Sequence, residues 1–218
     1  GMPRIQVDGA AVHIARRRVL ACAVYLAVTG RVQSRDTLAT LFWPEETQQK
    51  ARADLRRTLH LLHRTFGEDH LVVEHEAVQL IHDQNLWLDL EHFHRLLAVC
   101  QQHGHAATAV CPACLPSLAA ATALYRDDFL AGFTLPDSPD FDQWQFQQGE
   151  GLRAELAGAL ERLVRGYTAQ QEWEQAIAYA RRWLALDPLH EPVQRWLMQL
   201  YAWSGQQSAA LRQYRDCV

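Results

Sequence analysis

The 218 residues contain a single lysine, Lys50. No Gly-x4-Gly-Lys-Ser/Thr phosphate loop leads to it, which excludes the commonest nucleotide-hydrolysing architecture. A Gly-x-Ser-x-Gly elbow and a His-Glu-x-x-His helix are also absent, so neither an elbow-serine hydrolase nor a helix-borne zinc protease is indicated. Catalysis within the chain is not expected. No apolar run is long enough to cross a bilayer, and nothing reads as a signal peptide. Five cysteines are too few and too clustered for a secreted disulfide scaffold, so a cytoplasmic protein without a membrane partner is expected. Coiled-coil heptads that would force a dimer are lacking as well.

What is present is an ordinary globular balance, 49% apolar and 21% charged, enough to bury a core in one or two domains. Net charge is −4, unevenly spread. Residues 1–85 carry 11 Lys+Arg against 10 Asp+Glu, and residues 86–218 carry 10 against 15. Any nucleic-acid contact is therefore expected to be local and N-terminal. Gly1-Met2 reads as an expression remnant. The helical pattern of SAALRQYRDCV suggests the N-terminal part of a longer protein.

Residues 48–66, QQKARADLRRTLHLLHRTF, predict one uninterrupted helix closed by Gly67, where a left-handed cap is favoured. Leu55, Leu59, Leu62 and Phe66 form its apolar stripe. Lys50, Ala53, Arg57, His60 and Arg64 lie opposite, with Arg52, Arg56 and His63 at the flanks. Such a face suits the major groove of DNA, or is simply solvated. Upstream, residues 4–7 and 11–14 alternate around Asp8-Gly9 as a hairpin. Arg16 to Val28 reads as a helix with Val19, Leu20, Ala23, Leu26 and Ala27 inward. The Arg16-Arg17-Arg18 triplet opposes its dipole, and either leans on phosphate or is solvated. Ser34 is placed to cap a short helix, Arg35 to Phe42. Downstream, 71–73 and 78–81 form a hairpin around His75-Glu76-Ala77. Strand pair, helix, short helix, long basic helix and hairpin make a winged helix, with the hairpin as wing.

FWPEE, then KARADLRRTLHLLHRTFG, then LWLDLEHF and LYRDDFLAGFTLPDSPDFDQW resemble the bacterial transcriptional activator domain proteins of the antibiotic-regulatory-protein type. The resemblance covers nearly the whole chain. It implies a mainly α protein: a winged helix-turn-helix (α+β) over residues 1–85, then an all-α, tetratricopeptide-like activator domain over 86–218. It further implies that the helix after the Trp-Pro turn enters the major groove, making Lys50, Arg52, Arg56, Arg57, His60 and Arg64 the expected contacts to double-stranded DNA. Asp54 would repel phosphate and is expected to orient a neighbouring arginine. RNA polymerase or another protein would be contacted through the helical domain. Such activators occupy direct repeats, so a monomer or weak dimer that assembles on DNA is expected.

Residues 86–90 read as a short connecting strand, with Asp89 capping a helix from Glu91 to about Gln102. Cys100-x2-His103 and Cys111-x2-Cys114 then have the spacing of a structural zinc site, with His105 as the alternative to His103. A Cys111–Cys114 disulfide and free buried thiols are the other readings. Loop residues 101–108 have too little apolar content to order themselves without a staple, and a metal there would tie the helix after the winged domain to the repeat domain. Leu115 onward is helical, 128–141 is a turn-rich connection, and Trp144 to about Gln170 is helical again. Residues 157–190 and 191–218 repeat with period 34. Leu163 matches Leu197, Tyr167 matches Tyr201, Ala176 matches Ala210, Ile177 matches Leu211, and Pro188 closes the first repeat. Trp173, Tyr179, Trp183, Trp196 and Trp203 read mostly as core, with one or two on a protein-binding face. The alternative to a DNA-binding activator is a helical-repeat adaptor whose winged helix does not bind DNA.

Overall fold

The computed structural model describes residues 1–67, 69–106 and 109–217. Asp8 and Gly9, both at positive φ (51° and 77°), make the tight turn between β1 (Ile5–Val7) and β2 (Ala10–Val12). Both central residues of such a primed turn need positive φ, which Asp-Gly accepts. Helix α1 (Arg17–Thr29) ends at Gly30, whose left-handed backbone lets its N–H reach the Leu26 carbonyl. A two-residue strand follows, β3 (Gln33–Ser34), which the sequence reading did not contain. It pairs with β5 (Ala77–Leu80), and β5 pairs with β4 (Leu71–Val73) in the order β3-β5-β4. Ser34 does cap α2 (Arg35–Phe42): its Oγ accepts from the Thr37 N–H at 3.0 Å. Helix α3 (Gln48–Phe66) has the expected bounds, and Leu55, Leu59 and Leu62 are buried. Its cap differs from the expected one. Gly67 sits at φ 85°, ψ 172°, outside the left-handed helical region but still in territory that favours glycine.

Packing cuts the chain twice rather than once. One compact unit takes Gly1–Leu88 together with Asp127–Gly149, and the other takes Asp89–Arg126 with Glu150–Val218. In the first unit, Leu130, Phe133, Leu135 and Phe141 join the core of the winged helix. Ser138 Oγ donates to the Leu41 carbonyl, and Trp144 meets Tyr25 edge-on at 4.9 Å. Helix α1 is consequently buried on more than one face. Ala21, Cys22 and Tyr25 are interior, whereas Leu20 and Ala27, expected inward, are only partly covered. The arginine triplet gains intramolecular partners: Arg17 lies over the Phe133 ring, and Arg18 over Trp43 and 3.9 Å from Asp137. Those contacts concern Arg17 and Arg18, while Arg16 and Arg17 remain exposed, as the solvated reading expects.

The second unit is helical. No strand forms over residues 86–90. Helix α4 (Asp89–Val99) begins with Asp89 inside it, followed by a 3-10 turn at Cys100–His103. Another 3-10 turn, Pro112–Cys114, leads into α5 (Leu115–Leu124). Helix α6 (Pro139–Ala169) starts five residues before the expected Trp144, at a proline in its favoured first-turn position with Asp140 and Asp142 behind it. The period-34 repeat appears as two helical hairpins. The end of α6 with α7 (Trp173–Leu186) is the first, and α8 (Glu191–Trp203) with α9 (Gln207–Cys217) the second. The matched positions Leu163, Leu197, Tyr201, Ala176 and Ile177 are buried. Of the five repeat aromatics only Trp183 is buried, and Trp203 is 52% exposed.

Candidate nucleic-acid interface and metal centre

Helix α3 presents its basic residues in two groups. The first is committed to intramolecular pairs. Arg52 grips Asp36 of α2 through two parallel bonds, Nε to Oδ1 at 2.6 Å and Nη2 to Oδ2 at 2.7 Å, and reaches Glu76 in the β4–β5 turn at 3.3 Å. Hydrogen bonds from Arg52 and then Gln48 hold the Asp36 carboxyl below its usual range. A planar fork on a carboxylate fixes direction as well as distance, so Arg52 sets α3 against both α2 and the wing. Lys50 pairs with Glu46 at 2.6 Å and Arg57 with Asp54 at 2.9 Å. Asp54 thus has the orienting position expected of it. The second group is Arg56, His60 and Arg64: all are exposed, with no ion pair or hydrogen bond among the described residues. They follow one another at i, i+4, i+8, one row along the helix.

Charge by unit differs from charge by chain. Asp127, Asp128, Asp137, Asp140 and Asp142 belong to the first unit, which then carries 15 Asp+Glu against 11 Lys+Arg. The acidic segment touches α1 and α2 through Arg18, Phe42 and Tyr25. Any positive patch in this unit is therefore local and not a property of the unit's total charge.

In the second unit four side chains converge. His103, His105, Cys111 and Cys114 place their donor atoms within 4.8 Å of one another. Cys114 Sγ lies 3.1 Å from both His103 Nδ1 and His105 Nε2, and Cys111 Sγ lies 3.4 Å from His103 Nδ1 and 3.5 Å from Cys114 Sγ. Burial works to raise the Cys111 thiol, but bonds from Cys114, His103 and His105 outweigh it and bring it down to about 6. Burial pushes Cys114 up to about 11. Cys100, read as a ligand from its spacing, lies outside this four-atom group, although its thiol meets that of Cys114. It starts the 3-10 turn and is buried in an apolar cluster with Leu115, Leu118, Ala159 and Leu163. His105, the alternative, takes the fourth place. Gly104 at φ 71° turns the chain so that both histidines can face the same point. No disulfide joins these cysteines, and the helices on both sides, α4 and α5, lie in one unit, so the group does not tie two domains. Ala107 and Thr108 of the expected loop lie outside the described residues. Two cysteines and two histidines are a donor set compatible with structural zinc.

The architecture defines a class: a winged helix with a three-stranded sheet, together with a tetratricopeptide-like helical unit. Residues 88–218 match the family model described as bacterial transcriptional activator domain. The chain belongs to that family, which is regulatory and non-enzymatic, and the resemblance to regulators of the antibiotic-regulatory-protein type holds. Among solved structures it is similar to Mycobacterium tuberculosis EmbR in complex with a low-affinity phosphopeptide, with a TM-score of 0.69 and 22% identity. That match covers 100% of this chain and 57% of the EmbR chain. A search of curated proteins returns no match. No helix among the described residues is long and apolar enough to cross a membrane.

Proposed function

We propose that this chain is a DNA-binding transcriptional activator, acting in the cytoplasm, that reads the major groove of double-stranded DNA with α3 and contacts RNA polymerase or another protein through its helical unit. The observation that carries the reading is the row Arg56, His60, Arg64. It is exposed and unpaired among the described residues, on a helix that Arg52 orients against Asp36 through two parallel hydrogen bonds. Cations without internal partners keep their donors available for phosphate oxygens and base edges. Lys50 and Arg57 join by exchanging an exposed acidic partner for phosphate, since surface pairs of this kind hold weakly. Arg52 serves as a positioning residue. Protein contact is supported by the exposed apolar side chains Trp203, Leu211 and Tyr214 on the last two helices.

The test is selection of bound sequences from a random duplex pool by the full 218-residue chain. Enrichment of a motif, with affinity falling linearly in log–log against salt, is the expected result. A folded chain that enriches nothing over the starting pool would refute the reading and leave the adaptor alternative.

A further inference from the structure

Four side chains between α4 and α5 converge in the unit that does not contain α3. Their arrangement is specific in three respects. First, the spacing is close to that of ligand atoms around one ion. Zn–S bonds of about 2.3 Å and Zn–N bonds of about 2.0–2.1 Å at tetrahedral angles place ligand atoms about 3.3–3.8 Å apart. The observed nitrogen–sulfur and sulfur–sulfur contacts are 3.1, 3.1, 3.4 and 3.5 Å, two of them slightly short of that range, within a group whose donor atoms all lie within 4.8 Å of one another. Second, two imidazole nitrogens meet the same sulfur, Cys114 Sγ. Hydrogen bonding alone would need the thiol proton on the His105 lone pair and an N–H from His103, whereas a cation serves all four atoms together. Third, the outward nitrogen of His105 is already engaged. Nδ1 lies 3.0 Å from the Ala106 carbonyl, which can only accept, so Nδ1 carries the proton and the Nε2 lone pair points inward. That is the arrangement by which metal-bound histidines are held in one tautomer.

We propose that His103 Nδ1, His105 Nε2, Cys111 Sγ and Cys114 Sγ bind one zinc ion as a tetrahedral structural site. Both cysteines bind as thiolates, giving up any thiol proton they still carry, and the two thiolates balance the charge of the ion. A net-neutral centre suits its place, because Cys114 is fully buried and borders the apolar cluster around Leu115, Leu118 and Leu163. Thiolate and imidazole donors select zinc over magnesium and calcium, which take oxygen. The ion holds the connection from Cys100 to Cys114 against α6. There a Cβ on Gly166 would come within 2.5 Å of Leu115 Cδ2 and 3.4 Å of Val110 Cγ1, so the connection has a close-fitting seat but little apolar surface of its own.

The experiment uses the full chain, purified without a metal-affinity step, stripped with a chelator and titrated with zinc and separately with cobalt. Zinc should bind at about one equivalent per chain, and cobalt should give the intense visible bands of tetrahedral coordination with a thiolate charge-transfer band. Cys111→Ser and His105→Asn should each abolish this signature. Cys100→Ala should keep it, since Cys100 is packing and not ligand. Hydrogen exchange of residues 100–106 and 109–114 should quicken on stripping while α3 is unchanged. Zinc below about a tenth of an equivalent, an octahedral cobalt spectrum, or a Cys111–Cys114 disulfide in protein kept under reducing conditions would each overturn the proposal. Loss of metal from Cys100→Ala with retention in His105→Asn would overturn the ligand set.

Discussion

Replacing Arg56 and Arg64 together by alanine separates reading from folding more sharply than any other change in α3. Both side chains are exposed, and neither has an ion pair among the described residues, so the melting curve should move by no more than about 0.5 kcal/mol. They are eight residues apart, a span of about 12 Å along the helix, comparable with the roughly 12 Å width of the major groove. Such a row can reach phosphates on both walls. Each phosphate contact contributes about 0.9 to the log–log salt slope, so the double variant should flatten it by about 1.8. Between about 50 and 200 mM salt, the parent should then lose about tenfold more affinity than the variant. Fluorescence anisotropy of a selected duplex at four or more salt concentrations measures both slopes. Arg52→Ala is the internal comparison. It should lower affinity and melting temperature together with the slope unchanged if, as proposed, Arg52 positions α3 through Asp36 and Glu76. Parallel lines of equal intercept for parent and double variant would refute α3 as the reader. A flattened slope for Arg52→Ala with unchanged melting would show that its pairs with Asp36 and Glu76 open on binding.

Three further outcomes are expected. Leu59→Ala, at 3% exposure in the α3 stripe, should cost about 2–5 kcal/mol in denaturant unfolding and lose DNA binding only as it unfolds; unchanged stability would refute the assigned helix phase. Burial pushes the Cys22 thiol from its ordinary 9.0 up to about 12, so the unfolded chain loses this proton first; stability should fall as pH rises from about 9 towards 12, and Cys22 should resist alkylation until the protein unfolds. Light scattering of free protein should give a monomer or weak dimer, with two protomers assembling on a duplex that carries a direct repeat; a tight dimer at low concentration would count against this.

Legibility in the sequence followed the kind of signal available. Helix α3 was readable to the residue because its stripe, its unbroken composition and Gly67 agree. The strand β3 was not, since two residues carry no periodicity and its pairing partner lies more than forty positions away. Residues 128–141 read as a connection because Gly132, Pro136 and Pro139 are turn signals. Their apolar members Phe129, Leu130, Phe133 and Leu135 bury without any helical or strand period, which is what pattern reading depends on. The Ser138-Pro139-Asp140 start of α6 was legible but was read too late. Among the basic residues, sequence gave the face and not the partners. Nothing in the spacing of Asp36, Arg52 and Glu76 announces that they meet. In the Cys/His cluster His103, Cys111 and Cys114 meet as their spacing suggests, but Cys-x2-His counts residues while convergence depends on direction: Cys100 is buried beside Leu115 and Leu118, and His105 stands in the group instead.

The division of the chain governs how this protein must be made. Residues 89–126 leave the first unit and the chain returns to it at Asp127, so the winged helix cannot complete its core when its own last strand emerges from the ribosome. Phe42 and Tyr25 must wait for Phe141 and Trp144. At synthesis rates of about 5–20 residues per second, that wait is on the order of 3–12 seconds, with an apolar surface exposed. During it α4 and α5 are synthesised ahead of α6, against which they finally pack. A fragment stopped at residue 85 would meet the same deficit permanently. Any portable form of this winged helix therefore has to carry its returning segment with it, joined across positions 88 and 127.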